Sequence, residues 1–197
     1  MSTAKADILA RIHAALGPSP AVPAIAREYN AAGSVSTEGI VEQFCERVAE
    51  YRATVHRTSD VGATVREILG TGRRVGVPAG FPDLGLAVIE DDGLSVDELD
   101  TLDAVVTGSA LAIADTGTIV LVSGERSGRR ALTLVPDHHV CIVAADTIVA
   151  SVPDAIAALD AAQPITFVSG PSATSDIELD RVEGVHGPRT LDVIVVA

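Results

Sequence analysis

The sequence contains no tryptophan, three phenylalanines and two tyrosines, so aromatic residues make up only 3% of its 197 positions. Its core must therefore be packed mainly from valine, isoleucine, leucine and alanine. This composition favours buried β-strands covered by alanine-rich helices. A domain of this length buries about 70% of the surface of its unfolded chain, so it can fold without disulfide or metal cross-links.

Cysteine is almost as scarce, with Cys45 and Cys141 as the two examples. Neither their number nor their spacing supports a disulfide framework, a zinc site or an iron–sulfur cluster. Cys45 falls in a helical pattern and Cys141 in a strand pattern. Both are therefore predicted to be small buried hydrophobic residues.

Basic residues are outnumbered by acidic ones, 14 against 27, which gives a formal charge of −13. Such a charge repels nucleic-acid phosphates and anionic lipids, so nucleic acid is not an expected partner. The arginine-rich segment 126–130 lacks aromatic residues for base stacking and is predicted to be a solvated turn. No apolar run reaches the ~20 residues of a membrane span, and the N-terminus does not resemble a signal peptide. We therefore expect a cytoplasmic protein.

The apolar periodicity changes near residue 54. Residues 1–53 contain two helical patterns, at 4–16 and 37–51, and are predicted to form an N-terminal helical extension. From residue 54 onward, short apolar strands alternate with helices, which is typical of an α/β domain with a mainly parallel central sheet covered by helices on both faces. The predicted strands are 54–57, 73–77, 86–89, 104–107, 118–123, 139–144, 165–169 and 191–196, and the predicted helices are 60–69, 96–102 and 153–161. The strands beginning at 118 and 139 are candidates for antiparallel pairing because the loop between them is short for a crossover.

The first polar segment that could carry chemistry comprises Asp115, Thr116, Gly117 and Thr118, just before a buried apolar run. An unpaired carboxylate at such a position would be costly. One interpretation is ligand contact or proton transfer by Asp115, with Thr116 and Thr118 as hydrogen-bonding neighbours. The other is a turn in which Asp115 accepts hydrogen bonds from nearby backbone N–H groups.

A second segment follows the predicted strand 165–169 and includes Ser169, Gly170, Ser172, Thr174 and Asp176. It resembles a strand-to-helix loop, where ligands of α/β proteins gather. Gly170 allows close backbone approach, and the hydroxyl groups lie near unpaired N–H groups at a helix start, so the loop could hold a phosphate or carboxylate. The alternative is an ordinary helix cap.

The third segment, 184–189, supplies His186 and Arg189 before the last strand. Arg189 suits bidentate anion binding, and His186 can donate, accept or transfer a proton near neutral pH. Alternatively, His186 hydrogen-bonds a loop carbonyl and Arg189 pairs with Asp176 or Glu178. We expect the three segments to converge at one end of a shared sheet and to form a single anion-binding pocket.

A metal site built from His138, His139 and His186 is a further hypothesis. Adjacent histidines in a strand point to opposite faces, so His138 and His139 cannot easily bind one ion. His139 therefore stays a ligand-binding candidate, and no metal is predicted.

Four blocks of the sequence resemble, in this order, those of the lactate utilization protein C family, the LUD-domain proteins. They are Ala-Asp-Thr-Gly-Thr at 114–118, Leu-Val-Pro-Asp-His-His at 134–139, Ser-Gly-Pro-Ser-Ala-Thr-Ser-Asp-Ile-Glu at 169–178 and Gly-Val-His-Gly-Pro-Arg at 184–189. The resemblance covers roughly residues 55–197 and implies a LUD-type α/β domain at 54–197. It also implies a fold like that of the NagB/RpiA/CoA-transferase superfamily.

The resemblance implies a role in a system that oxidises L-lactate to pyruvate. Because the companion subunits of that system carry iron–sulfur clusters, this chain would be the cluster-free subunit, binding no cofactor itself, rather than a self-sufficient enzyme. The alternatives are a free-standing enzyme or binding protein for a small anionic ligand (a phosphorylated sugar, acyl-CoA or folate-like compound) and a protein-docking surface. The family commonly has glutamate where this chain has Asp115. A carboxylate displaced by roughly 1 Å favours binding over catalysis at that position.

Overall fold

The computed structural model describes residues 3–18, 22–28, 39–174, 182–183 and 186–196. The chain divides into two compact units, Met1–Asn30 and Ala31–Ala197. The first contains helix α1 (Ala4–Leu16), none of whose residues is buried. Among the described residues, no helix combines the length and the apolar character needed to cross a membrane.

The second unit contains the remaining described helices and strands. The helices are α2 (Ile40–Glu50), α3 (Val61–Leu69), α4 (Val96–Asp100), α5 (Arg130–Leu134) and α6 (Val152–Ala158). The strands are β1 (Thr54–Thr58), β2 (Val75–Pro78), β3 (Ile89–Asp91), β4 (Ala104–Gly108), β5 (Leu111–Ile113), β6 (Thr118–Val122), β7 (His138–Ala144), β8 (Ile148–Val149), β9 (Ile165–Val168), β10 (Ala173–Thr174), β11 (Val182–Glu183) and β12 (Thr190–Val196).

Six strands form the central sheet in the order β1-β12-β7-β4-β2-β3. Every neighbouring pair is parallel. Strand β2 is buried along its whole length, as expected for a parallel sheet with both faces covered. The predicted α/β class with a mainly parallel central sheet is therefore confirmed.

A second sheet has the order β8-β5-β6-β9, in which β6 is antiparallel to both of its neighbours. The predicted pairing of the strands that begin near residues 118 and 139 is wrong, because β6 belongs to this sheet and β7 to the central one. The connection between them contains α5 and steps from one sheet to the other. The strand predicted at 86–89 is also displaced, since pairing with β2 starts at Ile89.

The layers are held together by apolar side chains on both faces of the central sheet. Helix α3 packs Val65 and Leu69 against one face. The other face packs against the second sheet and against α2, whose Phe44 and Val48 are fully buried. Helix α6 covers the outer side of the second sheet through Ala155. Helix α2 thus shares a core with the strands, and the predicted domain boundary at residue 53 stays a prediction.

A bidentate ion pair joins the end of β3 to the start of α5. Asp91 accepts hydrogen bonds from Arg129 Nε at 2.7 Å and from Arg129 Nη2 at 2.8 Å. These bonds lower the pKa of Asp91, whose side chain is only 1% exposed. The prediction of a solvated turn at 126–130 is therefore wrong for Arg129, because a buried carboxylate requires a charged partner there.

Candidate functional site

A cleft of about 300 Å³ opens at the amino ends of β7 and β12, and we call it the amino-edge cleft. Its walls come from α5, from β9 and the loop that follows it, and from the loop before β12. The polar and glycine residues that line it are Arg130, Thr133, His139, Thr166, Ser169, Gly170, Ser172, His186 and Gly187. The candidates predicted from the sequence that line it are thus His139, Ser169, Gly170, Ser172 and His186.

Two of the sequence blocks are bound to each other at this cleft. The backbone N–H of Ser172 donates to the Pro188 carbonyl at 2.8 Å. In return, the backbone N–H of His186 donates to Ser172 Oγ at 2.9 Å. Because Ser172 accepts this bond, its own hydroxyl hydrogen remains free to donate to a ligand.

The loop after β9 does not lead directly into the predicted helix. Residues Ala173–Thr174 form β10, which pairs antiparallel with Val182–Glu183 of β11. The helix-start prediction is therefore wrong at Thr174. The side chain of Thr174 and the whole of Asp176 lie outside the described part of the chain.

Helix α2 packs closely against two glycines of these blocks. Gly170 has φ +84°, and a Cβ atom there would lie 2.5 Å from Tyr51 Cβ. Gly117 has φ +56°, and a Cβ atom there would lie 2.7 Å from the backbone of Arg47 and Val48. Both positions require glycine for conformation and for space, because α2 and its C-cap residue Tyr51 lie next to them.

Asp115 is exposed and does not line the cleft. It lies in the turn between β5 and β6, and its Oδ1 accepts a hydrogen bond from Gln43 Nε2 at 3.2 Å. The predicted turn is present, but the partner of Asp115 is a side-chain amide. The structure leaves Asp115 outside the expected single pocket.

Hydroxyl groups connect the Asp115 segment to the cleft. Thr116 Oγ1 lies 2.7 Å from Thr118 Oγ1, which lies 2.7 Å from Ser169 Oγ. Thr118 is 6% exposed, so the middle of this chain of hydroxyls is shielded from solvent. Hydrogen bonds therefore connect Thr116 and Thr118 to Ser169, which lines the cleft.

Arg189 also lies outside the cleft. Its Nε and Nη2 donate to Oδ1 and Oδ2 of Asp137 at 2.8 and 2.6 Å. This pair lowers the pKa of Asp137 and ties the start of β12 to the start of β7. The sequence interpretation of Arg189 as an ion-paired residue therefore describes it better than anion binding, with Asp137 as a partner. The expected partners Asp176 and Glu178 lie outside the described residues.

The arginine that lines the cleft is Arg130, which was predicted to lie in a solvated turn. Arg130, Thr133 and Leu134 share one face of α5 at the i, i+3, i+4 spacing. The apolar residues Leu132 and Val135 at helical spacing were the signal that could have predicted this short helix. Within the described part of the chain, no ion pair engages Arg130 and no Asp or Glu lines the cleft.

His139 provides a neutral imidazole in the cleft wall. It is 2% exposed, and its Nε2 lies 2.8 Å from Thr107 Oγ1. Burial, with a smaller contribution from His138, lowers the pKa of His139 to about 4. The cleft thus combines one permanent cation, a neutral imidazole and several hydroxyls, which is an arrangement suited to a small anion.

The neighbouring histidine faces the other side of the sheet, as predicted. His138 Nε2 lies 2.7 Å from Asp192 Oδ2, and His56 Nε2 lies 2.6 Å from Asp192 Oδ1. Asp192 holds these two imidazoles and is itself 6% exposed. Within the described ranges, no group of three or more His, Cys, Asp or Glu side chains has the geometry to hold a metal ion.

The fold and the cleft define an α/β protein with a parallel central sheet and an anion-compatible cleft at the amino edge of that sheet. Residues 96–196 match the family model of the LUD domain. With the relatives described next, this match shows that the chain belongs to the LUD-domain family.

The chain is 44% identical over 204 residues to a lactate utilization protein C of Deinococcus radiodurans, covering 98% of this chain and 95% of that protein. A lactate utilization protein C of Shouchella clausii is 33% identical over 122 residues, and the match spans about half of that protein's length (53%). The crystal structure of a DUF162 family protein from Deinococcus radiodurans superposes with a TM-score of 0.71 at 41% identity. It covers 83% of this chain and 99% of the other.

Gly170→Ala is expected to destabilise the protein more than Gly72→Ala does. Both glycines have positive φ, +84° and +80°, but only at Gly170 would an added Cβ atom meet a neighbour within 4 Å. Both variants lose about 1 kcal/mol of stability because alanine disfavours a positive φ. In Gly170→Ala, the clash with Tyr51 adds a further loss of about 1 to 3 kcal/mol. Urea denaturation of both variants measures the difference. Equal losses would contradict the close packing of this loop on α2.

His139 is expected to make the protein less stable as the pH falls. Its pKa is lowered from 6.5 to about 4 in the folded chain, so the unfolded chain binds the proton first. The free energy of unfolding should therefore decrease as the pH drops from about 6.5 towards 4, and less steeply in His139→Gln. NMR titration of the His139 ring provides the direct check. A ring that titrates near its ordinary pKa would refute its burial as a neutral group.

Proposed function

We propose that this chain is the cluster-free subunit of a lactate-utilization system, which binds L-lactate and oxidises it to pyruvate together with iron–sulfur partner proteins. The names of the relatives support a role in lactate utilization. A site for L-lactate is proposed on one observation: Arg130 lines the amino-edge cleft, and no Asp or Glu of the described residues does.

The cleft matches the chemistry of a short 2-hydroxy acid. A guanidinium group binds a carboxylate through two parallel hydrogen bonds, and no ion pair among the described residues engages Arg130. Ser169 and Ser172 line the same cleft and offer hydroxyl groups to the remaining oxygen of the ligand. A volume of about 300 Å³ is at the small end of ligand sites, which favours a molecule of a few heavy atoms.

Oxidation of lactate to pyruvate releases two electrons and two protons. The two cysteines cannot provide a redox centre in this cleft, because neither lines it. Burial raises the pKa of Cys141 to about 12, so its thiol stays protonated. In the proposal, iron–sulfur clusters of the partner subunits would take up the two electrons, one proton would pass to a residue of the cleft and the other to solvent, and this chain binds no cofactor.

The two histidines of the cleft take different roles in this proposal. His139 has a pKa of about 4, which makes it a poor proton acceptor, so it serves as a neutral hydrogen-bonding group. His186 is exposed at the cleft, and its backbone is fixed by Ser172. His186 is therefore the group we assign to receive the proton of the lactate hydroxyl.

Replacing Arg130 by alanine is expected to weaken L-lactate binding about tenfold or more, because a hydrogen-bonded charge contributes about 1.5 to 3 kcal/mol. Arg130→Lys should bind with intermediate affinity, since it keeps the charge but loses the fork of N–H donors. Calorimetric titration with L-lactate and with pyruvate measures both effects.

The matched control is Arg57→Ala, which removes an exposed arginine that pairs with Glu42 away from the cleft. It should leave the affinity unchanged. If Arg189→Ala abolished binding while Arg130→Ala did not, the anion would be held outside the amino-edge cleft and the proposed site would be wrong.

Because the proposal assigns electron acceptance to the partner subunits, it predicts that the isolated chain does not oxidise L-lactate. Mixed with its iron–sulfur partners, the chain should support pyruvate formation, and Arg130→Ala should raise the L-lactate concentration needed for half-maximal rate. Pyruvate formation coupled to an artificial electron acceptor measures both. Lactate oxidation by the purified chain alone would overturn its assignment as a subunit.

A further inference from the structure

A second cleft lies at the carboxyl ends of the central strands, on the side opposite to the amino-edge cleft. At this point the connections that follow two neighbouring strands leave in different directions. From the carboxyl end of β2 the chain runs outward to β3. From the carboxyl end of the adjacent β4 it passes through β5 and β6 of the second sheet and returns to the central sheet as β7, on the other side of β4. Adjacent parallel strands whose connections leave in opposite directions open a crevice between them, and α/β proteins bind ligands in such crevices.

A cleft of about 520 Å³ lies in this crevice, and we call it the carboxyl-edge cleft. Its apolar surface comes from the start of α3, the loop after β2 and the end of β7. The side chains concerned are Val61, Phe81, Pro82, Leu84, Ile142 and Ala144. We propose that this cleft binds a neutral, flat heteroaromatic ring of about nucleobase size.

The walls of the carboxyl-edge cleft are fixed before any ligand arrives. Arg66 Nη1 donates to the Leu84 carbonyl at 3.2 Å, which holds the loop after β2 against α3. Gly62 lets this loop approach, because a Cβ atom there would lie 2.7 Å from the same carbonyl oxygen. At the end of β4, Gly108 N–H donates to the Arg126 carbonyl at 2.9 Å. A cleft with preformed walls loses little entropy on binding.

The charged groups of the carboxyl-edge cleft determine which hydrogen-bond donors and acceptors the edge of the ligand must carry. Asp83 already accepts a hydrogen bond from Gly85 N–H at 2.8 Å. Glu125 and Arg126 are exposed at the cleft, and no ion pair engages either within the described part of the chain. Arg126 can only donate hydrogen bonds and ionised Glu125 can only accept them. A ring edge with an acceptor beside a donor, as on a nucleobase or a carboxamide, complements both.

An anionic anchor such as phosphate fits this cleft poorly. The cleft carries two carboxylates, Asp83 and Glu125, against one guanidinium group, Arg126. The start of α3 also lines it, but Asp60 already caps that helix by accepting a hydrogen bond from Ala63 N–H at 2.9 Å. The helix terminus therefore has a negative charge in the place that a phosphate would take.

The test uses adenosine, nicotinamide and riboflavin as probes, with amide NMR shifts of Gly80, Ser109 and Ile142 as the readout. At least one probe should shift these amides, and Arg126→Ala should weaken its binding about tenfold by removing a charged donor. Ala144→Trp, which fills the cleft from the end of β7, should abolish binding. Arg57→Ala should have no effect.

Two outcomes overturn the proposal. One is the absence of shifts at these amides with all three probes in a folded protein. The other is tighter binding of AMP than of adenosine, which would show that phosphate and not the ring is recognised. The readout does not involve L-lactate, so lactate binding can fail while the ring binds, and the reverse is equally distinguishable.

Discussion

The close contact between α2 and two glycine turns positions the amino-edge cleft. Gly117 and Gly170 come from different sequence blocks, yet an added Cβ atom would overlap helix α2 at Gly117 and Tyr51, the C-cap of that helix, at Gly170. Phe44 and Val48 hold that helix in the core between the two sheets. The loop carrying Ser169 and Ser172 therefore depends on a helix more than a hundred residues earlier in the chain.

Sequence periodicity predicted strands β4, β6, β7 and β12 well because their runs of apolar residues are buried on both faces. The end of β12 at Val196 and the start of β6 at Thr118 were predicted from that signal. The signal contains no information on which sheet a strand joins, so the expected pairing near residues 118 and 139 was wrong. Strand β5 has only three residues, too few for any period to emerge.

The candidate site was predicted in part for a similar reason. Ser169, Ser172 and His186 were found because hydroxyl and imidazole groups stand out in glycine-rich loops. The sequence could not show whether Arg130 or Arg189 is available to bind an anion, since this depends on which of them a carboxylate of the protein already pairs with. Arg189 faces Asp137, which neutralises it, whereas Arg130 has no such neighbour among the described residues. This difference is a matter of three-dimensional contacts between segments more than fifty residues apart.

An anion site on a chain with a formal charge of −13 requires that local charges outweigh the distant ones. At physiological ionic strength, the field of exposed charges is screened over about 8 Å, so most of the acidic residues act on a ligand only weakly. A guanidinium group in direct contact with a carboxylate is screened much less. In the proposed site, the net charge of the protein would slow the approach of an anion at low salt, while Arg130 and the hydroxyls of the cleft would determine how long the anion stays.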